Sequence, residues 1–542
     1  MLNIDEDFKK FFPNVNFELK NIQKQSVANV VENGNTLCIM PTGGGKSIIY
    51  WLAGLELGGT TLVISPLTAL ISEQSKKLVE HGYDARIFHS DINPSKQMEI
   101  LIDFANGRIS PDFIFVSPEK IATDGLFEYC MKSRRSDIKL VVIDEVHCVS
   151  QWGISFRPMY KRIPDFMNNL FGDNWSKVLA LTATLNPKER EDICADFRIS
   201  TENVVIDKFI VRNDINIHVK KFDSENDKEF AFWEIIEKHR GDKTLVYLYR
   251  KKGDRGVEGL YSTAREKGYN AEMFHGDMSA NARMKIIERY KNNEIDILFA
   301  TNAFGMGIDI SDIRAVIHFT IPESAEQFYQ EIGRAGRDSN GADSYLLYSD
   351  KNIEVKRTYF IEHSFPDEKK LSDTYKKIVR RIGYQALDYF ENEDIPYCLS
   401  YYLACGSIEI VCKGFPDFGN LYDIRDVALQ NYYDSTLTKN FVTTLKKNSI
   451  SPEQLTDKVY KSLVNGDAKL AKPLQRWLII NIFDAEISSA NLEKISADIN
   501  EKKSYKNALL DYFVGLLERY AMDSDKLHEG IANYLGKNQY EA

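Results

Sequence analysis

The chain has 542 residues, 43% hydrophobic and 27% charged, with a formal net charge of −10. Those fractions belong to a soluble globular protein of about three domains. The acidic total excludes one large basic face but leaves room for a local basic groove of the kind that holds nucleic acid.

The first residues, MLNIDEDFKK, are acidic and lack the basic, apolar, small-residue order of a secretory signal. The most apolar window, WLAGLELGGTTLVISPLTALI, carries Glu56, a Gly-Gly pair and Ser65-Pro66. These interrupt a membrane span, so the window is expected to be a buried helix, turn and strand. Seven scattered cysteines point to a reducing cytoplasm with free thiols. No membrane partner is expected.

Along the chain, short Val/Ile/Leu runs alternate with amphipathic segments. Residues 25–205 contain the candidate strands TLCIM, TLVIS, FIFVS, KLVVID and VLALTAT; residues 240–350 contain TLVYLY, DILFAT, AVIHFT and SYLLYS. Apolar strands separated by helices predict parallel sheets covered on both faces, hence an α/β chain with two tandem domains and a cleft between them. The expected bounds are 1–208 and 209–355, joined near VIDKFIVRNDINIHV. Beyond residue 355 helical periodicity takes over. In KNALLDYFVGLLERYA the residues Leu509, Phe513, Leu516, Leu517 and Tyr520 share one face, so 356–542 is expected to be a mostly α-helical domain.

Three motifs carry chemistry. TLCIMPTGGGKSIIYWL reads strand, glycine loop, helix. Thr42, Gly43, Gly44 and Gly45 would turn backbone N–H groups toward phosphates, Lys46 would neutralise them, and Ser47 would ligate Mg²⁺. The strict pattern asks for glycine where Met40 stands. An ordinary glycine-rich turn is the competing reading; the Lys-Ser pair and the strand–helix context set it aside. KLVVIDEVH ends a strand in Asp144-Glu145, which places two carboxylates at the ligand-binding rim of a parallel sheet. Asp144 would hold Mg²⁺ through water, and Glu145 would orient and deprotonate the attacking water. His147 is either a domain coupler or a satisfied structural histidine. In QEIGRAGRD, Arg334 and Arg337 lie on one side of a helical turn. A nucleotide in the cleft would bring Arg337 to its γ-phosphate with Arg334 assisting; the alternative is a pair of surface arginines.

The ordered set MPTGGGKS, SPLTALISEQ, FVSPEK, DEVHCVSQWGISFRP, LTAT, ATNAFGMGID and QEIGRAGRD resembles the RecQ family of superfamily 2 DNA helicases over residues 15–350. The resemblance implies two RecA-like domains, ATP and Mg²⁺ as cofactors, and 3′-to-5′ movement on single-stranded or partly duplex DNA. It implies that Gln23 reads adenine, with Lys20 where arginine is usual. Thr182 and Thr184 would couple hydrolysis to domain movement. Gly307, Asp309 and Gln330 would complete the nucleotide cleft. DNA contacts would come from Ser65, Pro66, Ser117, Pro118 and Lys120 in the first domain, and from His275, Gly276, Thr301 and Asn302 in the second.

The stretch DEVHCVSQWGISFRPMY joins the acidic pair to Trp152, Phe156 and Arg157. A base stacked on either aromatic contributes about 1–3 kcal/mol, enough for DNA occupancy to set Glu145 through this loop. Buried core anchors are the competing reading. Ile154 and Ser155 replace a usual His-Asp. RecQ relatives also continue into a zinc module and a winged helix, and neither is evident in 356–542. Cys398, Cys405 and Cys412 are spaced by seven, about 10 Å along a helix, too far apart for shared zinc. They are expected on one helical face, with no structural zinc. The tail is left to bind DNA, bind a protein partner or buttress the motor. The expected function is an ATP-dependent DNA helicase or translocase. The rivals are a DNA-stimulated motor subunit that works with a partner, and an RNA helicase.

Overall fold

A computed structural model describes residues 3–41, 43–66, 68–150, 158–207, 212, 214–305, 310–338, 340–414, 419–435, 440–472 and 477–536. The first sheet has seven parallel strands: β1 (Thr36–Ile39), β2 (Thr60–Ile64), β3 (Ala85–Phe88), β4 (Phe113–Val116), β5 (Ile138–Ile143), β6 (Lys177–Thr182) and β7 (Val204–Ile206). Their order is β3-β4-β2-β5-β6-β1-β7. β1, β2 and β4 are buried along their whole length, as helices on both faces require. The order reverses between β1, near one end, and β2 across β5 and β6. In an open parallel sheet of this kind the ligand crevice lies at the strands' carboxyl ends.

The second sheet is six-stranded and also parallel: β8 (Ile215–Lys221), β9 (Thr244–Tyr247), β10 (Ala271–Phe274), β11 (Ile297–Ala300), β12 (Ala315–His318) and β13 (Ala342–Tyr348), in the order β10-β11-β9-β12-β13-β8. The stretch expected to join the domains contributes an edge to each sheet: β7 ends at Ile206 and β8 begins at Ile215. β8 alternates, with Ile215, Ile217 and Val219 inward and Asn216, His218 and Lys220 outward, the pattern of a half-exposed edge.

The tail is mostly helical but includes a three-stranded antiparallel sheet: β14 (Gly383–Leu387), β15 (Ile408–Gly414) and, between them, β16 (Trp477–Ile482). This corrects the placement of the cysteines. Cys398 lies in the helix Asp394–Ala404 and Cys405 caps it. The chain then turns at Gly406, φ 78°, and Cys412 sits on β15. No single helical face holds all three.

Five helices frame the cleft between the two sheets and tie the tail to it: α1 (Lys46–Leu57), α2 (Pro187–Asp196), α3 (Ala325–Ile332), α4 (Ser489–Tyr520) and α5 (Ser524–Gly536). The 32 residues of α4 reach about 48 Å. Its N-terminal half buries Ile495 and Ile499 in the tail's own core. Its C-terminal half buries Leu510, Phe513, Leu516 and Leu517 in a core continuous with both parallel sheets. Elsewhere the tail seats on the first domain, where Asn106 Nδ2 donates to Val464 O at 2.8 Å and Lys413 pairs with Glu128. Among the described residues no helix is long and apolar enough to cross a membrane.

Candidate nucleotide site between the two sheets

Between β1 and α1 the chain passes through Gly43 and Gly45 at φ 74° and 86°, a region that side chains with a Cβ avoid. The loop is also closely packed. A methyl on Gly44 would meet the Pro41 carbonyl oxygen at 2.8 Å, and one on Gly45 would meet Gln23 Nε2 at 2.6 Å. Gln23 is buried and donates from Nε2 to the carbonyl oxygens of Gly44 and Gly45, both at 3.1 Å. Its Oε1 accepts the Lys20 N–H at 2.8 Å. The helix that starts after Lys20 therefore braces the phosphate loop.

The acidic pair leaves the end of β5. Glu145 has φ 50°, a left-handed backbone that costs a non-glycine residue about 1–3 kcal/mol and is found where function demands it. Asp144 Oδ2 accepts the Ser65 hydroxyl at 3.1 Å, and Oδ1 accepts the Glu145 N–H at 3.0 Å. Tyr160 donates its hydroxyl to Asp144 O at 3.2 Å. Glu145 Oε1 lies 3.8 Å from Lys46 Nζ, and Oε2 lies 3.4 Å from His147 Nδ1. His147 Nδ1 is in turn 3.0 Å from Thr182 Oγ1, which donates to Thr184 O at 3.2 Å. The histidine links the acidic pair to the Thr-Ala-Thr segment.

Burial raises the pKa of both carboxyls, but the two diverge. For Asp144, the Glu145 charge adds to burial and pushes its pKa up. For Glu145, the charges of Lys46, His147 and Arg334 outweigh burial and hold it below the usual carboxylate value. Their neighbours thus push the two carboxyls in opposite directions.

The second sheet delivers the arginines. α3 ends at Ile332, and Gly336, φ 56°, turns the chain back with its N–H on Ile313 O at 2.9 Å. Arg334 is 5% exposed, donates to Gly305 O, and acts on Glu145 across the cleft. Arg337 lies on the phosphate loop itself, its Cδ 3.7 Å from where a Gly43 methyl would be. Gln330 is half-buried on α3. Lys46 Nζ, Glu145 Oε2 and Arg334 Nε are buried with no hydrogen-bond partner. Lys46 and Glu145 meet only as a 3.8 Å ion pair, so both keep hydrogen-bonding capacity for a charged ligand such as a phosphate ester and its cation. The donor set fits: cations and a glycine-loop cradle for phosphoryl oxygens, and Ser47 with the Asp144 carboxylate for Mg²⁺.

Residues 20–193 match the DEAD/DEAH box helicase family and residues 227–339 match the helicase conserved C-terminal domain. The chain is 37% identical over 383 residues to the ATP-dependent DNA helicase RecQ of Bacillus subtilis, covering 70% of this chain and 61% of that one. It is 31% identical over 357 residues to the probable ATP-dependent DNA helicase RecS of Bacillus subtilis, covering 66% of this chain and 69% of that one. The chain belongs to the RecQ family of helicases. At the level of fold, the Mycobacterium smegmatis helicase Lhr, solved with single-stranded DNA and AMP-PNP, superposes with a TM-score of 0.50 at 14% identity, covering 98% of this chain and 94% of that one. The match to the RecQ relative spans about three-fifths of that protein's length.

In this RecQ-family chain several of the residues expected at DNA have partners within the protein. Ser65 is buried and its hydroxyl is committed to Asp144. Lys120 is 2% exposed, with Nζ 2.6 Å from Asp124. Pro66, Ser117 and Pro118 are buried as well. They stand where β2 and β4 run out at the carboxyl rim of the first sheet. In the second domain His275 is buried, Thr301 is half-buried and accepts the Ala303 N–H, and Gly276 and Asn302 are exposed. Thr42, Trp152, Phe156, Arg157, Gly307 and Asp309 lie outside the described residues. Sequence reasoning passes over Tyr160 and Asn186; locally, Asn186 is marked only as the cap of an Asn-Pro-x-Glu helix start.

Proposed function

We propose that this RecQ-family protein is a DNA-dependent ATPase that moves 3′ to 5′ along single-stranded DNA and unwinds duplex ahead of it. The observation that carries the reading is Arg337 of the second domain lying against Gly43 of the phosphate loop, beside the buried Lys46–Glu145 ion pair. Cleavage of a terminal phosphate needs cations on both sides and a carboxylate to place water. Here the two sets sit on different domains, so hydrolysis depends on closure.

In this reading Lys46 binds the terminal phosphates from the first domain and Arg337 binds them from the second. Arg334 holds Glu145 in its charged form. Glu145 orients water and takes its proton, and His147 passes the state of Glu145 to Thr182 and Thr184. When bound, Mg²⁺, held by Ser47 and through water by Asp144, supplies charge neutralisation at the phosphate oxygens. The names of the relatives, DNA helicases, support DNA over RNA as the polymer.

The test is ATP turnover by the purified full chain with no polymer, with single-stranded DNA and with single-stranded RNA, followed by unwinding of a duplex with a 3′ overhang. DNA-stimulated turnover with unwinding is expected. Turnover indifferent to DNA sinks the motor reading, and stimulation without unwinding removes the helicase step alone.

A further inference from the structure

The C-terminal helices α4 and α5 form a strap across the cleft. On the second domain their hold is broad. Phe513 packs on Phe328 of α3 with ring centroids 5.4 Å apart. α5 covers the exposed edge β8: Ser524 Oγ accepts the Ile217 N–H at 3.0 Å, and His528 Nε2 meets Ile215 O at 2.8 Å. Tyr534 donates to Glu326 Oε1 of α3 at 2.7 Å. On the first domain the strap ends in a polar contact: Tyr505 donates to Asn186 Oδ1 at 3.0 Å.

Asn186 is a hub. It caps α2 by accepting the Glu189 N–H at 2.8 Å, and its side chain also bonds Glu326. First domain, second domain and strap therefore meet at one polar cluster. Asn186, Glu189 and Glu326 form its buried centre, and Tyr505 and Tyr534 close it as half-buried walls. The position of the cluster ties it to the site. Asn186 stands two residues after Thr184, and Glu326 lies on the helix that leads directly into Arg334 and Arg337. The two attachments also differ in kind. Phe513 packs on Phe328 in the second domain, whereas the strap's direct bond to the first domain, at Asn186, can be exchanged for water at small net cost when the cleft opens.

We propose that Tyr505 and Tyr534 are positioning residues for ATP hydrolysis: the strap latches the first domain to the arginine helix and so sets the closure that brings Arg337 onto the phosphate loop. This rests on the proposed ATPase reading. Neither tyrosine touches the nucleotide site; each acts through Asn186 or Glu326. In competition with open forms, a latch bond worth one net hydrogen bond shifts the apparent affinity for nucleotide by about three- to tenfold.

The experiment measures steady-state ATP hydrolysis at saturating single-stranded DNA for the full-length chain and its Tyr505→Phe and Tyr534→Phe variants. Phenylalanine keeps the ring packing, including the Tyr512–Tyr534 pair at 4.6 Å, and removes only the hydroxyl. Expected is a KM for ATP raised about three- to tenfold with kcat within about twofold, and a larger radius of gyration by small-angle scattering without nucleotide. Unchanged KM in both variants overturns the latch. So does a fall in kcat at constant KM, the pattern of partial misfolding. If the unmodified chain fails to hydrolyse ATP, the ATPase reading fails first, and the scattering comparison still decides whether the strap holds the domains together.

Discussion

Ser65 and Asp144 are joined by a hydrogen bond of 3.1 Å between the ends of neighbouring strands β2 and β5. On the proposed ATPase reading, the bond groups Ser65 with the metal- and nucleotide-binding residues. Ser65→Ala is expected to raise the Mg²⁺ concentration needed for half-maximal ATP turnover and leave the Kd for single-stranded DNA within about twofold. Removing one neutral partner of a carboxylate costs about 1–3 kcal/mol. A magnesium titration of ATPase beside a DNA-binding isotherm checks this; loss of DNA affinity alone would return Ser65 to the DNA track.

Glu145 sits 3.8 Å from Lys46 and under the influence of Arg334, so its charge is central to the proposed chemistry. Glu145→Gln is expected to lower kcat about 10²- to 10⁴-fold, the usual contribution of a positioned acid–base group. Nucleotide binding should be kept, because Lys46 and the glycine loop are untouched. Fluorescent-nucleotide binding measured alongside turnover separates the two.

Glu189 carries a pH signature. Its carboxyl, ordinarily near 4.5, is pushed up to about 8, first by burial and then by Glu326 on α3 and Asp192 on its own helix; the Asn186 N–H and Lys506 of α4 oppose the shift. The folded state keeps a proton that the unfolded chain gives up. Stability from this group is therefore full below pH 4.5 and declines as pH rises toward 8. Glu189→Gln is expected to flatten that decline. Denaturant unfolding at about pH 5, 6.5 and 8, compared between the two chains, measures it; parallel slopes would refute the assignment.

The tail cysteines are expected to hold no zinc. Cys412 is on a strand with its thiol pushed up to about 12 by burial, and burial also raises Cys398 in its helix. Zinc needs thiolates. Metal analysis of the purified protein should find no stoichiometric zinc, and one tightly held ion per chain would overturn this.

The nine central strands expected from apolar runs are present, because a strand buried on both faces must be written in continuous Val, Ile, Leu and Phe. The edges are harder to read. β3, β7, β8 and β10 are short or half-exposed, and their composition overlaps that of loops; β7 and β8 lie in a stretch that reads as a plain connection. In the tail, GYQAL, IEIVCKG and WLIINI form a sheet inside a segment whose dominant periodicity is helical.

At the site, local order along the chain is enough to place Lys46, Asp144, Glu145, Arg334 and Arg337 in one chemistry, because a phosphate loop and a strand-end acidic pair are defined by neighbours in sequence. The links between them are settled only in three dimensions. Ser65 reaches Asp144 across 79 residues, His147 reaches Thr182 across 35, and Tyr505 reaches Asn186 across 319. Backbone geometry is dictated by adjacent residues. The partner of a buried hydroxyl or carboxylate is whichever group folding brings within about 3 Å, and that is a property of how the sheets and the strap pack.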